Sequence, residues 1–208
     1  MRHRPVSSAR TSVRMFDNNV LEALSKVPYY LPLVVFIPVT LYFIWRAFTA
    51  GVGVGPFIGL FVLGLLIWTA TEYVFHRYVF HWLPPGKIGA RLHFIFHGVH
   101  HDYPNDSMRL VLPPSVSVPL ALLFYWLFSL LFSAPGLYAA FAGFILGYIA
   151  YDETHYALHH VAFKHPLMRV LKRNHMQHHF VDPSKDYGVT SPLWDWIIGS
   201  RRKASPSA

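Results

Sequence analysis

The chain has 208 residues, of which 53% are hydrophobic, 17% aromatic and only 13% charged, with a formal charge of +8; an ordinary soluble domain carries about twice that share of charge. Such apolarity excludes an intrinsically disordered chain, which needs low hydrophobicity and high charge. The absence of cysteine excludes disulfide scaffolds, Cys-ligated zinc, iron–sulfur clusters and thiol catalysis.

Residues 1–26 open Arg- and Ser-rich, with no apolar core and no evident cleavage site, and are expected to be a cytoplasmic lead-in rather than a secretory signal. An organelle transit peptide is the alternative. Three stretches then lack any Asp, Glu, Lys or Arg: 19 residues from Val27 to Trp45, 25 from Ala47 to Thr71, and 42 from Leu110 to Tyr151. A spanning helix needs roughly 20 apolar residues. The first two stretches therefore hold one span each, and the third holds two, divided at Ser133-Ala134-Pro135-Gly136.

The expected fold is an all-α integral membrane protein. Four transmembrane helices, at about 28–48, 54–73, 115–133 and 136–153, form two hairpins within a single membrane-embedded domain, 27–208. Residues 74–114 and 154–208 form a cytoplasmic histidine-rich helical cap that holds a dinuclear metal site. Buried helices of a large soluble protein are the competing reading, but the chain has too little polar sequence to wrap four of them. Seventeen of the 18 Lys and Arg residues fall in the segments that four spans place on one side, Arg46 being the exception. The positive-inside rule makes that side cytoplasmic, with both termini there. The charge is thus read as topology and attraction to anionic headgroups, and no nucleic-acid partner is expected.

Thirteen of the 14 histidines lie between His76 and His179, twelve of them in four clusters at the mouths of the spans or in the cap. On a helix, positions i, i+3 and i+4 share a face. His97, His100 and His101 have that spacing, as do His175, His178 and His179, and His155 and His159 are an i, i+4 pair. His76 and His81 are i, i+5, about 140° apart on a straight helix. Either the helix distorts there or the two rings serve different metals. Ten histidines suit two ions with about five imidazoles each, which argues for a metal of higher coordination than zinc. Iron is the natural candidate, although zinc is possible in purified protein. His3 and His165 read as bystanders, and His160 is ambiguous. His93, one turn before His97, is a candidate for steering a ligand ring through a hydrogen bond, with Glu72 as a second outer partner.

The order His-x4-His, His-x2-His-His, His-x3-His, His-x2-His-His resembles the fatty acid hydroxylase/sterol desaturase superfamily of integral-membrane di-iron enzymes. The closer likeness is to the fatty acid 2-hydroxylase branch. His100-His101-Asp102-Tyr103-Pro104-Asn105-Asp106, Arg109-Leu110-Val111-Leu112-Pro113-Pro114 and the stretch from Asp186 to Trp196 support it, over about residues 60–200. The resemblance implies that His76, His81, His97, His100, His101, His155, His159, His175, His178 and His179 bind two non-haem irons. It also implies O2 as co-substrate and Tyr148, Tyr151 and Asp152 near the active centre. The implied reaction is hydroxylation of a lipid acyl chain, at C2 of a fatty acid or of a sphingolipid or ceramide acyl group. A desaturase or a sterol or carotenoid hydroxylase of the same superfamily is the alternative, since its histidine core serves many activities. No His-Pro-Gly-Gly haem motif of a fused cytochrome b5 occurs in this sequence. Electrons are therefore expected from a separate cytochrome b5 or ferredoxin with its reductase, in a bacterial inner membrane or the endoplasmic reticulum. A metal transporter is the non-enzyme reading; it predicts polar ligands along the spans, and the longest apolar run has no histidine.

Overall fold

The structure, a computed structural model, describes residue 7 and residues 12–202. His3 lies outside the described residues. Among those residues every regular element is helical. A short helix, α1 (Asn19–Leu24), starts at Asn18, whose side chain accepts the N–H groups of Val20 at 2.9 Å and Leu21 at 3.1 Å. This satisfies two of the donors a helix start leaves open. Helix α2 (Leu31–Thr49) follows, with Pro32 in its first turn, then α3 (Val54–Val74). A second hairpin is formed by α6 (Pro114–Leu131) and α7 (Ala134–His160), and the turn between them carries Ser133.

These four helices are long and apolar enough to cross a membrane. Their bounds lie within three residues of the expected spans except at the end of α7. Helix α7 runs seven residues past the expected end of its span, to His160, as one rod. Apolarity stops near Tyr151, but Asp152–His160 remain helical because the cap buries that face.

Packing departs from two self-contained hairpins, since α2 and α3 both pack chiefly against α7. About 67% of the most apolar window of α7 is buried against only 6% for α3, so α7 is the core and α3 the lipid-facing flank. Two glycines permit the close approach of α3 and α7. A Cβ on Gly64 would collide with the Ala140 carbonyl, and one on Gly143 with the Phe61 carbonyl. Small residues at such crossings replace the hydrophobic driving force that lipid cannot provide. Around them Phe36, Phe128, Phe141, Phe144 and Tyr148 fill the centre.

The cap is built from two helical runs. One is α4 (Gly86–His93), a π-helical segment Phe94–Gly98, and α5 (Val99–Asp102), without a break. The other is α8 (Pro166–Phe180), followed by α9 (Leu193–Ile198), which ends at Gly199 in the left-handed region, φ 76°. The first run begins only five residues after a second π-helical segment, Phe75–Phe80, which continues α3.

Candidate metal centre

The four clusters converge, but not cluster by cluster. One group contains His76, His81, His97, His101 and His178; the other contains His100, His155, His159, His175 and His179. Within each group the candidate ligand atoms all lie within 4.8 Å of one another. Each His-x2-His-His triplet is therefore divided. His97 and His101 enter the first group and His100 the second, while His178 enters the first and His175 and His179 the second. The groups abut where the rings of His101 and His179 stack, with centroids 4.1 Å apart.

The backbone explains how His76 and His81 share a group. In a straight α-helix they would diverge by about 140°. The π-helical turn Phe75–Phe80 instead uses i→i+5 hydrogen bonding, and the His81 N–H donates to the His76 carbonyl at 3.2 Å. The two Nε2 atoms end 3.3 Å apart. Of the two readings left open by the spacing, helix distortion is the one realised.

The nitrogen atoms are placed so that each group could hold a metal ion. The Nδ1 of His76 meets the Tyr187 carbonyl at 2.5 Å, and the Nδ1 of His178 meets the Lys185 carbonyl at 2.6 Å. A carbonyl can only accept, so each Nδ1 carries the proton and each Nε2 presents a lone pair inward. Six inward Nε2 pairs stand 2.8 to 3.3 Å apart, among them His76–His97, His97–His101 and His81–His178 in the first group and His100–His155 and His159–His175 in the second. Two nitrogens about 2.1 Å from one ion stand about 3.0 Å apart at a right angle and about 3.4 Å at a tetrahedral angle. The spacings fit imidazole nitrogens that share one cation in each group. His179 is buried with neither ring nitrogen hydrogen-bonded, and the Nδ1 atoms of His100, His155 and His175 are likewise unpartnered. Burial pushes the rings of His81, His97, His100, His101, His175, His178 and His179 well below or at least below the ordinary histidine range. All seven are held neutral, the form that binds a metal.

Two loop carbonyls orient this set, and buried acids hold one of the loops. Glu72 accepts the N–H groups of Val189 at 2.7 Å and Thr190 at 2.9 Å, and also bonds the Thr190 hydroxyl. Asp195 accepts the N–H groups of Tyr187 at 3.0 Å and Gly188 at 2.8 Å. Glu72 thus holds the loop two residues beyond Tyr187, whose carbonyl meets His76, rather than the His76 ring itself. Asp195 had no role assigned from sequence. Its only signal was its place in the Asp186–Trp196 stretch, because a carboxylate's grip on backbone amides leaves no spacing pattern.

The remaining expected site residues fall as follows. His93 stands outside both groups, and its buried Nδ1 has no hydrogen-bond partner. His160 and His165 are also outside both groups, with Tyr156 packed on the His160 ring at 4.6 Å. Asp152 is buried and accepts the Leu112 N–H at 3.3 Å. It does not bond the His155 ring, whose Nδ1 is free. Tyr151 packs against His155 with ring centroids 5.7 Å apart.

A chamber of about 290 Å³ opens beside the second group, lined by His97, His100, His155, Tyr151 and Asp152. It is also lined by Met15, Phe16, Leu21 and Leu24 from the N-terminal segment. A narrower, almost wholly apolar cleft of about 50 Å³ lies between α3, α6 and α7, lined by Phe75, Phe124, Phe144 and Tyr148. Phe80, Leu112 and Tyr151 border both cavities. The N-terminal wall is fastened by a buried ion pair, Glu22 with Arg109 at 2.7 Å. Arg109 also donates to the Val13 carbonyl at 2.6 Å and the Ser25 hydroxyl at 2.8 Å. In the sequence only Arg109 stands in a marked stretch, and its partner Glu22 carries no pattern.

A sequence model described as fatty acid hydroxylase matches residues 61–200, the stretch that carries both histidine groups. The chain belongs to the fatty acid hydroxylase family. It is 36% identical over 199 residues to a dihydroceramide fatty acyl 2-hydroxylase of Arabidopsis thaliana, covering 95% of this chain and 83% of the relative. It is 39% identical over 203 residues to the ceramide very long chain fatty acid hydroxylase of Saccharomyces cerevisiae, covering 95% of this chain but only 52% of that protein. The chain thus spans about half the length of the yeast relative. The solved structure of full-length scs7p, in which only the hydroxylase domain is visible, superposes with a TM-score of 0.84 at 39% identity. That match covers 89% of this chain and 70% of the other. The membership accounts for an all-helical fold with four apolar helices and clustered histidines.

Proposed function

We propose that this family member hydroxylates C2 of a lipid acyl group, in a sphingolipid or ceramide or as a fatty acid. On this reading the two histidine groups each hold one non-haem iron. One O2, two electrons and two protons convert R–CH2–C(O)X to R–CHOH–C(O)X and water. The observation that carries the reading is the chamber of about 290 Å³ running from His100 and His155 to the cleft between α3, α6 and α7. A polar-ended lipid fits this pair of cavities: its tail suits the apolar cleft, and its carbonyl end suits the chamber that holds Asp152.

The metals, when bound, supply the reduction of dioxygen and the oxidation of a C–H bond. The chain supplies the positioning. Tyr151, bordering both cavities, holds the acyl chain at their junction, so that the carbons next to the carbonyl lie at the histidines. Asp152 orients the polar end of the acyl group, and Tyr148 lines the start of the tail cleft. The apolar wall from Met15 to Leu24 excludes water from the chamber. Electrons come from a cytochrome b5 or ferredoxin, at the side of the membrane where the Lys and Arg residues gather. By the positive-inside rule that side is the cytoplasm, and the membrane is a bacterial inner membrane or the endoplasmic reticulum.

The test is lipid mass spectrometry of cells with and without the protein. Acyl groups 16 mass units heavier, with the hydroxyl located at C2, support the reading. A product 2 units lighter makes the protein a desaturase instead, and an unchanged lipid profile overturns the proposal.

A further inference from the structure

Helix α1 is turned the wrong way round for a helix at a water-facing surface. Its acid, Glu22, is buried and clasped to Arg109, while Val20, Leu21 and Leu24 are exposed, Val20 to 67%. A helix on a soluble domain does the opposite. Beside it, α4 and the π-helical segment that continues it present Ile88, Leu92 and Phe96 at successive turns. All three are exposed, Ile88 to 79%. Arg91 of α4 holds the segment that leads into α1, donating to the Met15 carbonyl and lying over the Phe16 ring at 5.9 Å. Leu21, Leu24 and Phe96 also line the chamber, so the apolar patch forms part of its rim.

Both elements are tethered close to the bilayer. Six residues separate Leu24 from the start of α2 at Leu31, and five separate Phe80 from the start of α4 at Gly86. Six residues reach at most about 21 Å. The connecting segments carry exposed Tyr29, Tyr30 and Trp82, the residue types that settle at the headgroup level. Exposed Lys87 and Arg91 flank the α4 row and suit anionic headgroups.

We propose that α1 and the Ile88–Leu92–Phe96 row are sunk together into the interfacial layer of the membrane, so that the chamber beside the histidines opens into lipid. The occupant of this surface is the acyl and headgroup boundary of the bilayer that the four helices cross. A lipid would then enter the chamber sideways from the membrane, between α1 and α4, without its tail crossing water. The entry route rests on the substrate reading above, whereas the position of the patch does not, and the experiment reads position alone.

Because the chain contains no cysteine, single Val20→Cys, Ile88→Cys and Leu92→Cys variants can each carry one environment-sensitive fluorophore. Val62→Cys, exposed midway along α3, is the lipid-facing reference. The labelled proteins are placed in nanodiscs of phosphatidylcholine with phosphatidylglycerol, which leave both faces open. Lipids spin-labelled near the headgroup are expected to quench all three positions at least half as strongly as Val62→Cys. Iodide is expected to quench them several-fold less than the free dye. Iodide quenching equal to that of the free dye overturns the proposal. So does protection from both quenchers, which would place protein over the patch. The three positions are independent, so loss of one variant to misfolding leaves the other two to decide. Lipid quenching without hydroxylation would sink the proposed function and leave this inference standing.

Discussion

His76 and His81 are five residues apart in sequence, yet their Nε2 atoms stand 3.3 Å apart and face the same group of imidazoles. A π-helical turn makes this possible and ties one end of α3 to the candidate centre. A local departure from regular helix geometry at a functional site is a familiar trade, because the lost α-helical hydrogen bonds are offset by what the displaced side chain can reach.

The division of the histidines predicts how metal is lost. His81→Ala removes a ligand from the first group and His159→Ala one from the second. Each variant is expected to fall from two to about one metal ion per chain, and the double variant to retain almost none, as element analysis of purified protein would read. Both single variants should lose hydroxylation. Loss of both metals from either single variant would mean that the groups do not load independently.

Glu72 reaches the first group only through the loop it holds. Glu72→Gln removes one acceptor from the three bonds to Val189 and Thr190, which loosens the Tyr187 carbonyl that fixes the His76 tautomer. Changes to such outer partners cost about 10- to 100-fold in metal affinity. Competition with a chelator should show that loss for one ion and little change for the other.

The clasp of the chamber wall is sensitive to acid. Although burial pushes the Glu22 carboxyl up, the Lys26 hydrogen bond, the Met15 and Phe16 amides and the Arg109 charge together hold it down at about 2, against a reference of 4.5. A carboxylate with a depressed folded pKa stabilises the fold fully above its unfolded value and loses that contribution as pH falls through the folded one. Hydrogen exchange at the Met15 and Phe16 amides should therefore accelerate between about pH 4.5 and 2, after correction for intrinsic rates. Glu22→Gln should produce the same loosening at neutral pH. Arg109 keeps Asp106 at 3.6 Å in that variant, so the cost is about 2 kcal/mol, or roughly 30-fold in exchange.

The α3–α7 contact has no room for a side chain. Gly143→Val would drive a branched Cβ into the Phe61 carbonyl, a backbone atom that cannot swing aside. The expected loss is about 3 kcal/mol, seen as a lower melting temperature in detergent. The same substitution at Gly59, which has open space around it, should leave the melting temperature nearly unchanged.

The membrane character, the four spans and the ten clustered histidines were legible in the sequence, because each is a property of composition or of spacing along one helix. Charge-free runs of span length admit few other readings, and i, i+3, i+4 histidines must share a face wherever the helix is placed. Tertiary structure alone decided how those faces meet. Neighbours such as His100 and His101 part company because His100 meets the histidines of α7 whereas His101 meets those at the π-helical end of α3, with α8 contributing to both groups, and no one-dimensional pattern records the approach of another helix. The bridging of His76 and His81 needed a change of helix type, whose energy is balanced by contacts distant in sequence. The Glu22–Arg109 clasp joins residues 87 positions apart, and the Glu72 and Asp195 bonds run to backbone amides that every residue type shares. Spacing announces chemistry that lies along one element, whereas chemistry assembled between elements becomes visible only when the chain is folded.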